Sequence, residues 1–133
     1  MSLTNSTLQE FTEKLASKTS VPGGGGASAM VASIGIALGD MVGEFTVGKK
    51  KYAEVEPEIK ELMEKAQDIR VKLLKCIDDD AIAFEPLSKA YSIPKDDPSR
   101  DEIMEKCLKD AAQCCKSFVQ LCYSAENSPW FYI

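Results

Sequence analysis

The residues best able to do chemistry fall in three short clusters, and none contains histidine, which this chain lacks altogether. Proton transfer near neutral pH must then fall to Asp, Glu, Lys, Tyr or Cys. The first cluster is Asp78-Asp79-Asp80. Adjacent residues on a helix point about 100° apart, so at most one or two of the three can face inward. Desolvation favours the protonated form of a carboxylate, which is how a carboxylic acid becomes a proton donor near neutral pH. The plainer reading is a solvated acidic turn whose inward member meets a buried polar partner. The second cluster is Pro22 followed by Gly23, Gly24, Gly25 and Gly26, ahead of an uncharged apolar run. Glycines let a ligand approach the backbone, and the free amides at a helix N-terminus attract anions. A simple turn between helices would have the same composition, and the segment is not a P-loop, because no Gly-Lys-Ser/Thr follows it. The third cluster is Lys49, Lys50 and Lys51 followed by Tyr52. It is either a solvated corner or a docking point for a ligand carboxylate, with Tyr52 as a flat surface for an aromatic ring.

The five cysteines, Cys76, Cys107, Cys114, Cys115 and Cys122, are odd in number and form no Cys-x-x-Cys. Neither a disulfide framework nor a zinc site follows, so they read as reduced cytoplasmic thiols filling a core, with no metal expected. A net charge of −5 argues against a nucleic-acid partner, since phosphate binding needs a basic face. The chain has 133 residues, which fits one domain over residues 1–133. Its 44% hydrophobic and 28% charged content is that of a folding chain and not a disordered one. No cationic segment leads into an apolar one at the start, so no secretory signal is expected.

Helices must position these clusters. Ser6 and Gln9 form a capping-box pattern, and Leu8, Phe11 and Leu15 recur behind it, predicting a first helix near residues 5–18. Residues 21–26 break it. Residues 27–38 carry no charge and read as a buried helix, too short to cross a bilayer core of about 30 Å, so no membrane partner is expected. Gly35, Gly39 and Gly43, spaced four apart, suggest close approach of another helix. The longest periodic segment places Val55, Ile59, Leu62, Ala66, Ile69, Leu73 and Cys76 on one inward seam, with Pro57 tolerable in the first turn. Continued, the seam reaches Asp80, then Phe84 and Leu87, so a carboxylate stands where the pattern asks for an apolar side chain. Pro86 is predicted to end or kink this helix. Asp97 reads as the N-cap of a last helix with Pro98 at its first position and Ile103, Cys107, Ala111, Cys114, Phe118 and Leu121 on its apolar face. Residues 127–129 stop it, leaving an apolar tail at residues 130–133.

The fold class is therefore all-α, an up-and-down helical bundle with one buried glycine-striped helix. That helix and the tail leave more apolar surface than a monomer of this size normally exposes, which predicts a homodimer or higher even-numbered oligomer with residues 27–43 at or near the interface.

Four motifs stand in order: Val21-Pro-Gly-Gly-Gly-Gly-Ala-Ser-Ala29, Leu38-Gly-Asp-Met-Val42, Gly48-Lys-Lys-Lys-Tyr52, and Asp78-Asp-Asp-Ala-Ile-Ala-Phe84 with Ile93-Pro-Lys95. Together they resemble the cyclodeaminase domain of formimidoyltransferase-cyclodeaminase and its stand-alone bacterial relatives, which include methenyltetrahydrofolate cyclohydrolases. The resemblance covers residues 3–113 and gives out from Cys114, so against that family the chain reads as C-terminally incomplete, with residues 114–133 divergent. It implies an all-helical, commonly dimeric domain acting on a one-carbon reduced folate, with no cofactor beyond the tetrahydrofolate substrate itself. Carried over, Pro22, Gly23, Gly24, Gly25, Gly26, Lys49, Lys50 and Tyr52 fall on substrate-binding motifs, and Asp78 and Asp80 fall where a proton donor would sit. Asp80 is favoured because it lies on the seam. The implied reaction is cyclisation of 5-formimidoyltetrahydrofolate to 5,10-methenyltetrahydrofolate with release of ammonia. The alternatives are methenyltetrahydrofolate hydrolysis or a catalytically inactive helical oligomerisation module.

Overall fold

The computed structural model describes residues 2–126. Among them, α1 (Leu8–Leu15), α2 (Gly24–Thr46), α3 (Glu56–Ala90) and α4 (Arg100–Glu126) account for the regular structure, with short 3-10 turns at Leu3–Asn5 and Lys50–Tyr52 and no strand. The central element is α3, with α2 and α4 both packed along it and in little contact with each other.

The first helix, Leu8–Leu15, is shorter at both ends than the expected 5–18, and its cap lies one residue later than the sequence pattern suggests. Thr7, and not Ser6, makes the capping box: its hydroxyl accepts the Glu10 N–H at 3.2 Å while its own N–H donates to Glu10 Oε2 at 2.9 Å. A carboxylate is a stronger acceptor than the amide of Gln9, and the Ser6 N–H is already spent on the Leu3 carbonyl, closing the preceding 3-10 turn.

The second helix corrects three expectations. It covers Gly24–Thr46, so Gly24, Gly25 and Gly26 form its first turn and do not lie in a loop ahead of it. At 23 residues it is long and apolar enough to cross a membrane, by length and composition alone. It is also buried on one face only. Gly26, Ala29, Ser33 and Gly43 lie against the rest of the chain, whereas Val31 is 70% exposed and Phe45 67%. The glycines divide accordingly: Gly43 is buried, while a Cβ at Gly35 or Gly39 would meet nothing within 4 Å. Gly48, with φ of 80°, closes the turn after α2 in the left-handed region that costs glycine nothing.

From Leu62 onward the seam of α3 is where the periodicity puts it, with Leu62, Ala66, Leu73, Cys76 and Leu87 all buried, whereas Val55, ahead of the helix, is exposed. Pro86 does not end the helix, which runs on to Ala90. Proline removes the N–H that would bond to the carbonyl four residues back, that of Ile82, and both residues are exposed, so water can satisfy the freed carbonyl. Burial of Leu87 and Ala90 holds the following turn in place. The fourth helix begins at Arg100, later than the Asp97 cap suggests. Asp97 Oδ1 instead accepts the Ser99 N–H at 2.8 Å and the Ser99 hydroxyl at 2.6 Å, closing the turn just ahead. The predicted stop at residues 127–129 and the tail at 130–133 lie outside the described residues.

Leu3, Phe11, Ala29, Cys76 and Ile77 form the buried cluster at the glycine end of the molecule, with Phe118 and Leu121 of α4 packed against it. Segments from the whole length of the chain thus converge beside Asp80.

Candidate functional site

Asp80 is positioned by the seam that carries Cys76 and Leu87 into the core, and it meets the first turn of α2. Gly23 at the N-cap has no side chain to satisfy the free amides there. The Gly26 N–H donates to Asp80 Oδ2 at 2.9 Å, so a carboxylate from α3 does what a capping side chain would do. Asp80 Oδ1 accepts no hydrogen bond from the described residues. The fit is close: a Cβ on Gly25 would fall 2.2 Å from Asp80 Oδ1 and 2.6 Å from its Cγ. Pro22, buried and joined to Val21 by a cis peptide bond, leads into this turn. Beside it lies a cavity of about 20 Å³ lined by Gly25, Cys76, Asp80, Cys114, Cys115 and Phe118, room for one water molecule.

The thiols around this cavity read from sequence as core filler, with no spacing that ties them to Asp80. Burial, and then the nearby Asp80 charge, push the Cys114 thiol up to about 11, and burial with Asp79 raises that of Cys76. Both stay protonated near neutral pH and are poor nucleophiles there.

Asp78 points to other work. Its Oδ1 accepts the Leu3 N–H at 2.6 Å, and its Oδ2 accepts the Ser2 hydroxyl at 2.6 Å together with the Thr4 hydroxyl. Burial acts to raise its pKa, but these donors outweigh burial and hold the carboxyl below the ordinary 3.8. A carboxylate so engaged anchors the N-terminal turn and is poorly suited to give up a proton near neutral pH. We expect Asp78→Ala to lower stability by about 1 to 3 kcal/mol in urea unfolding, with faster amide exchange in the turn. Because the folded pKa is depressed, this stabilisation is fully present above the ordinary aspartate value and is lost as pH falls through the lower folded one. The gap between wild type and variant therefore closes in acid. A gap that persists to about pH 2 would remove the carboxylate from this role.

Lys49, Lys50 and Tyr52 are not brought to Asp80. They lie beyond the C-terminus of α2, whose 23 residues span about 33 Å. There the Lys51 ammonium sits 5.3 Å from the centre of the Tyr52 ring. Cations nearer to Asp80 in the chain are Lys72 and Lys75, in a groove of about 350 Å³ between α3 and α4 that shares Cys76 with the small cavity. They pair with Asp68 at 2.6 Å and Asp79 at 3.5 Å. A larger groove of about 700 Å³ lies on the opposite, Asp78 side of α3. Its acidic groups are Asp78 and Glu85, one holding the N-terminal turn and the other paired with Lys89, and no cation lines it, so it suits an anionic ligand poorly. Asp80, with one oxygen fixed and the other without a partner, is the better placed reactive group. A further pair that sequence reading does not reveal is Asp40 with Arg70, 3.7 Å apart between α2 and α3. Asp40 Oδ1 is buried without a hydrogen-bond partner, and burial raises this carboxyl against the opposing effect of Arg70.

Comparison with known proteins gives this geometry its context. The family model for formiminotransferase-cyclodeaminase matches residues 7–127, continuing past Cys114, where the sequence motifs give out. The chain is 39% identical over 120 residues to the methenyltetrahydrofolate cyclohydrolase of Methylorubrum extorquens, covering 84% of this chain and 58% of that protein. It is 39% identical over 109 residues to the formimidoyltransferase-cyclodeaminase of Dictyostelium discoideum, covering 82% of this chain and 20% of the relative. The crystal structure of formiminotetrahydrofolate cyclodeaminase from Thermotoga maritima superposes with a TM-score of 0.76 at 32% identity, over 88% of this chain and 56% of that one. The chain therefore spans under two thirds of each of these relatives, and by the family match over nearly its whole length it belongs to the formiminotransferase-cyclodeaminase family.

Proposed function

We propose that the chain cyclises 5-formimidoyltetrahydrofolate to 5,10-methenyltetrahydrofolate with release of ammonia, and that Asp80 is its proton carrier. The observation that carries this reading is the placement of Asp80, one oxygen held by the Gly26 N–H and the other without a partner among the described residues. In the reaction N10 of the folate attacks the formimidoyl carbon, a carbon–nitrogen bond forms, and the exocyclic carbon–nitrogen bond breaks. The formimidoyl nitrogen needs two protons to leave as ammonia: N10 gives up the one it carried, Asp80 gives the other, and the methenyl cation and the Asp80 carboxylate remain. The reading needs no cofactor beyond the folate and a cytoplasmic setting that keeps the five cysteines as free thiols.

A second reading is favoured by the likeness to the Methylorubrum cyclohydrolase and by the water-sized cavity beside Asp80. In it the same carboxylate assists attack of water on the methenyl carbon. Separate assays divide the two: ammonia release from the formimidoyl substrate for the first, loss of methenyl absorbance without ammonia for the second. Isothermal titration with a reduced folate supplies the remaining arm. Binding without turnover leaves a catalytically inactive helical module, and absence of binding sinks every folate reading.

A further inference from the structure

We propose that the Asp80 site carries on past cyclisation and hydrolyses the methenyl group it has formed, so that one carboxylate converts the formimidoyl folate and water to a formyl folate and ammonia. The inference rests on the folate reading above and adds a second reaction at the same carboxylate.

The proton balance comes first. Cyclisation takes a proton from Asp80 and leaves its carboxylate beside a methenyl cation. A base next to an electrophilic carbon is the pair that attack by water requires. The water oxygen bonds to the carbon, and one of its protons passes to Asp80. In the carbinolamine so formed, Asp80 gives that proton to one of the two flanking nitrogens and the carbon–nitrogen bond there breaks. The hydroxyl proton passes to Asp80 as the carbonyl forms. Asp80 thus ends protonated, the state from which the next cyclisation starts. Summed over both reactions, 5-formimidoyltetrahydrofolate and water give a formyltetrahydrofolate and ammonia, and the protein is returned as it began.

Position then supplies the water. To protonate the departing nitrogen, Asp80 must lie within hydrogen-bond reach of it, about 2.6 to 3.2 Å. The reacting carbon is one bond farther on, so the place that ammonia leaves borders the carboxylate and the carbon alike. The cavity of about 20 Å³ beside Asp80 exceeds the roughly 10 to 15 Å³ that one water occupies. Asp80 Oδ2 is held by the Gly26 N–H at 2.9 Å, while Oδ1 accepts no hydrogen bond from the described residues and offers a water a strong acceptor. The rest of the lining is Gly25, Phe118 and the thiols of Cys76, Cys114 and Cys115. Thiols are weak donors and weak acceptors, enough to hold a water and too weak to compete with Asp80 for its proton. Burial raises the Cys114 and Cys76 thiols, which keeps both neutral near pH 7, and neither a second carboxylate nor an ammonium lines the space. Cys115 is exposed, which leaves the cavity a route for water from solvent. The short side chains at 76, 114 and 115 keep the space open. A branched residue at 114 would fill it and turn the site toward cyclisation alone.

The test gives the wild-type chain 5-formimidoyltetrahydrofolate and follows ammonia, methenyl absorbance and formyl product together. Ammonia release with a transient methenyl signal and a formyl folate as final product is expected. Added methenyltetrahydrofolate should disappear at least about tenfold faster than in buffer alone. Ammonia release with methenyl lost only at the buffer rate overturns the proposal and leaves the cyclisation reading standing. Absence of both ammonia release and folate binding overturns that reading, and this inference with it. Asp80→Asn should lose both reactions, and loss of only one overturns the shared carboxylate. Cys114 tests the cavity: Cys114→Ser keeps the space and offers water a better partner, whereas Cys114→Val fills it. The ratio of hydrolysis to ammonia release is expected to fall about tenfold in the valine variant and to hold or rise in the serine one. An equal fall of the ratio in both variants, or an unchanged ratio in the valine variant, overturns the role of the cavity. A readout apart from turnover is crystallographic. An ordered water within hydrogen-bond distance of Asp80 Oδ1 is expected in the wild-type chain and in Cys114→Ser, and none in Cys114→Val. A wild-type cavity without that water overturns the proposal.

Discussion

Asp80→Asn should lower turnover by about 10²- to 10⁴-fold, the usual contribution of a positioned general acid, with reduced-folate binding retained. The amide oxygen of Asn can still accept the Gly26 N–H, now 2.9 Å from Asp80 Oδ2, so the first turn of α2 keeps its cap. What is lost is a proton that can be given up and retaken. Steady-state rates together with titration calorimetry check this, since a positioning role alone would weaken binding along with rate. Wild-type rates in the variant would end the assignment. Asp78 would be a weak successor, because its carboxylate is occupied by Ser2, Leu3 and Thr4.

Gly25→Ala should come close to the same loss of turnover while leaving the fold nearly as stable as before. The new methyl would stand 2.2 Å from Asp80 Oδ1, a distance that real contacts do not reach, so one side must move. The side that moves is the end of the Asp80 side chain, which swings away and gives up its bond to Gly26. Losing that bond costs about 1 kcal/mol, and replacing a helical glycine by alanine returns about as much, so the two nearly cancel in stability. In activity they do not cancel, because a displacement of about 1 Å in a catalytic group can cost about 100-fold. Thermal unfolding and kcat measured on the same preparations separate the two quantities. Repeating the change in an Asp80→Ala background gives the double-mutant cycle: with no carboxylate to displace, the stabilising part should stand alone. A large stability loss in both backgrounds would mean that the glycine serves the packing of α2 and not the placement of Asp80.

Much of this site was legible along the chain, and the reason is periodicity. Apolar residues in steps of three and four from Ile59 to Leu87 require one face of α3 to be inward, and Asp80 falls on that face whatever packs against it. The all-helical class and the anion-seeking character of the glycines that open α2 follow from equally local chemistry. Local patterns were also read too narrowly. Proline chemistry alone stops α3 at Pro86, but burial of Leu87 and Ala90 outweighs it. The apolar run of α2 reads the same whether it is covered by its own chain or left open to a second one, because composition records the appetite for burial and not the partner. Asp78 and Asp80 differ by two residues and look alike in sequence. Only the fold sends one to Ser2, Leu3 and Thr4, and the other to Gly26, across separations of more than fifty residues. Those pairings, like the gathering of Cys76, Cys114 and Cys115 around one cavity and the distance that parts Lys49 and Lys50 from Asp80, are contacts between helices. Helical spacing determines which face a residue occupies, and tertiary packing decides what that face meets.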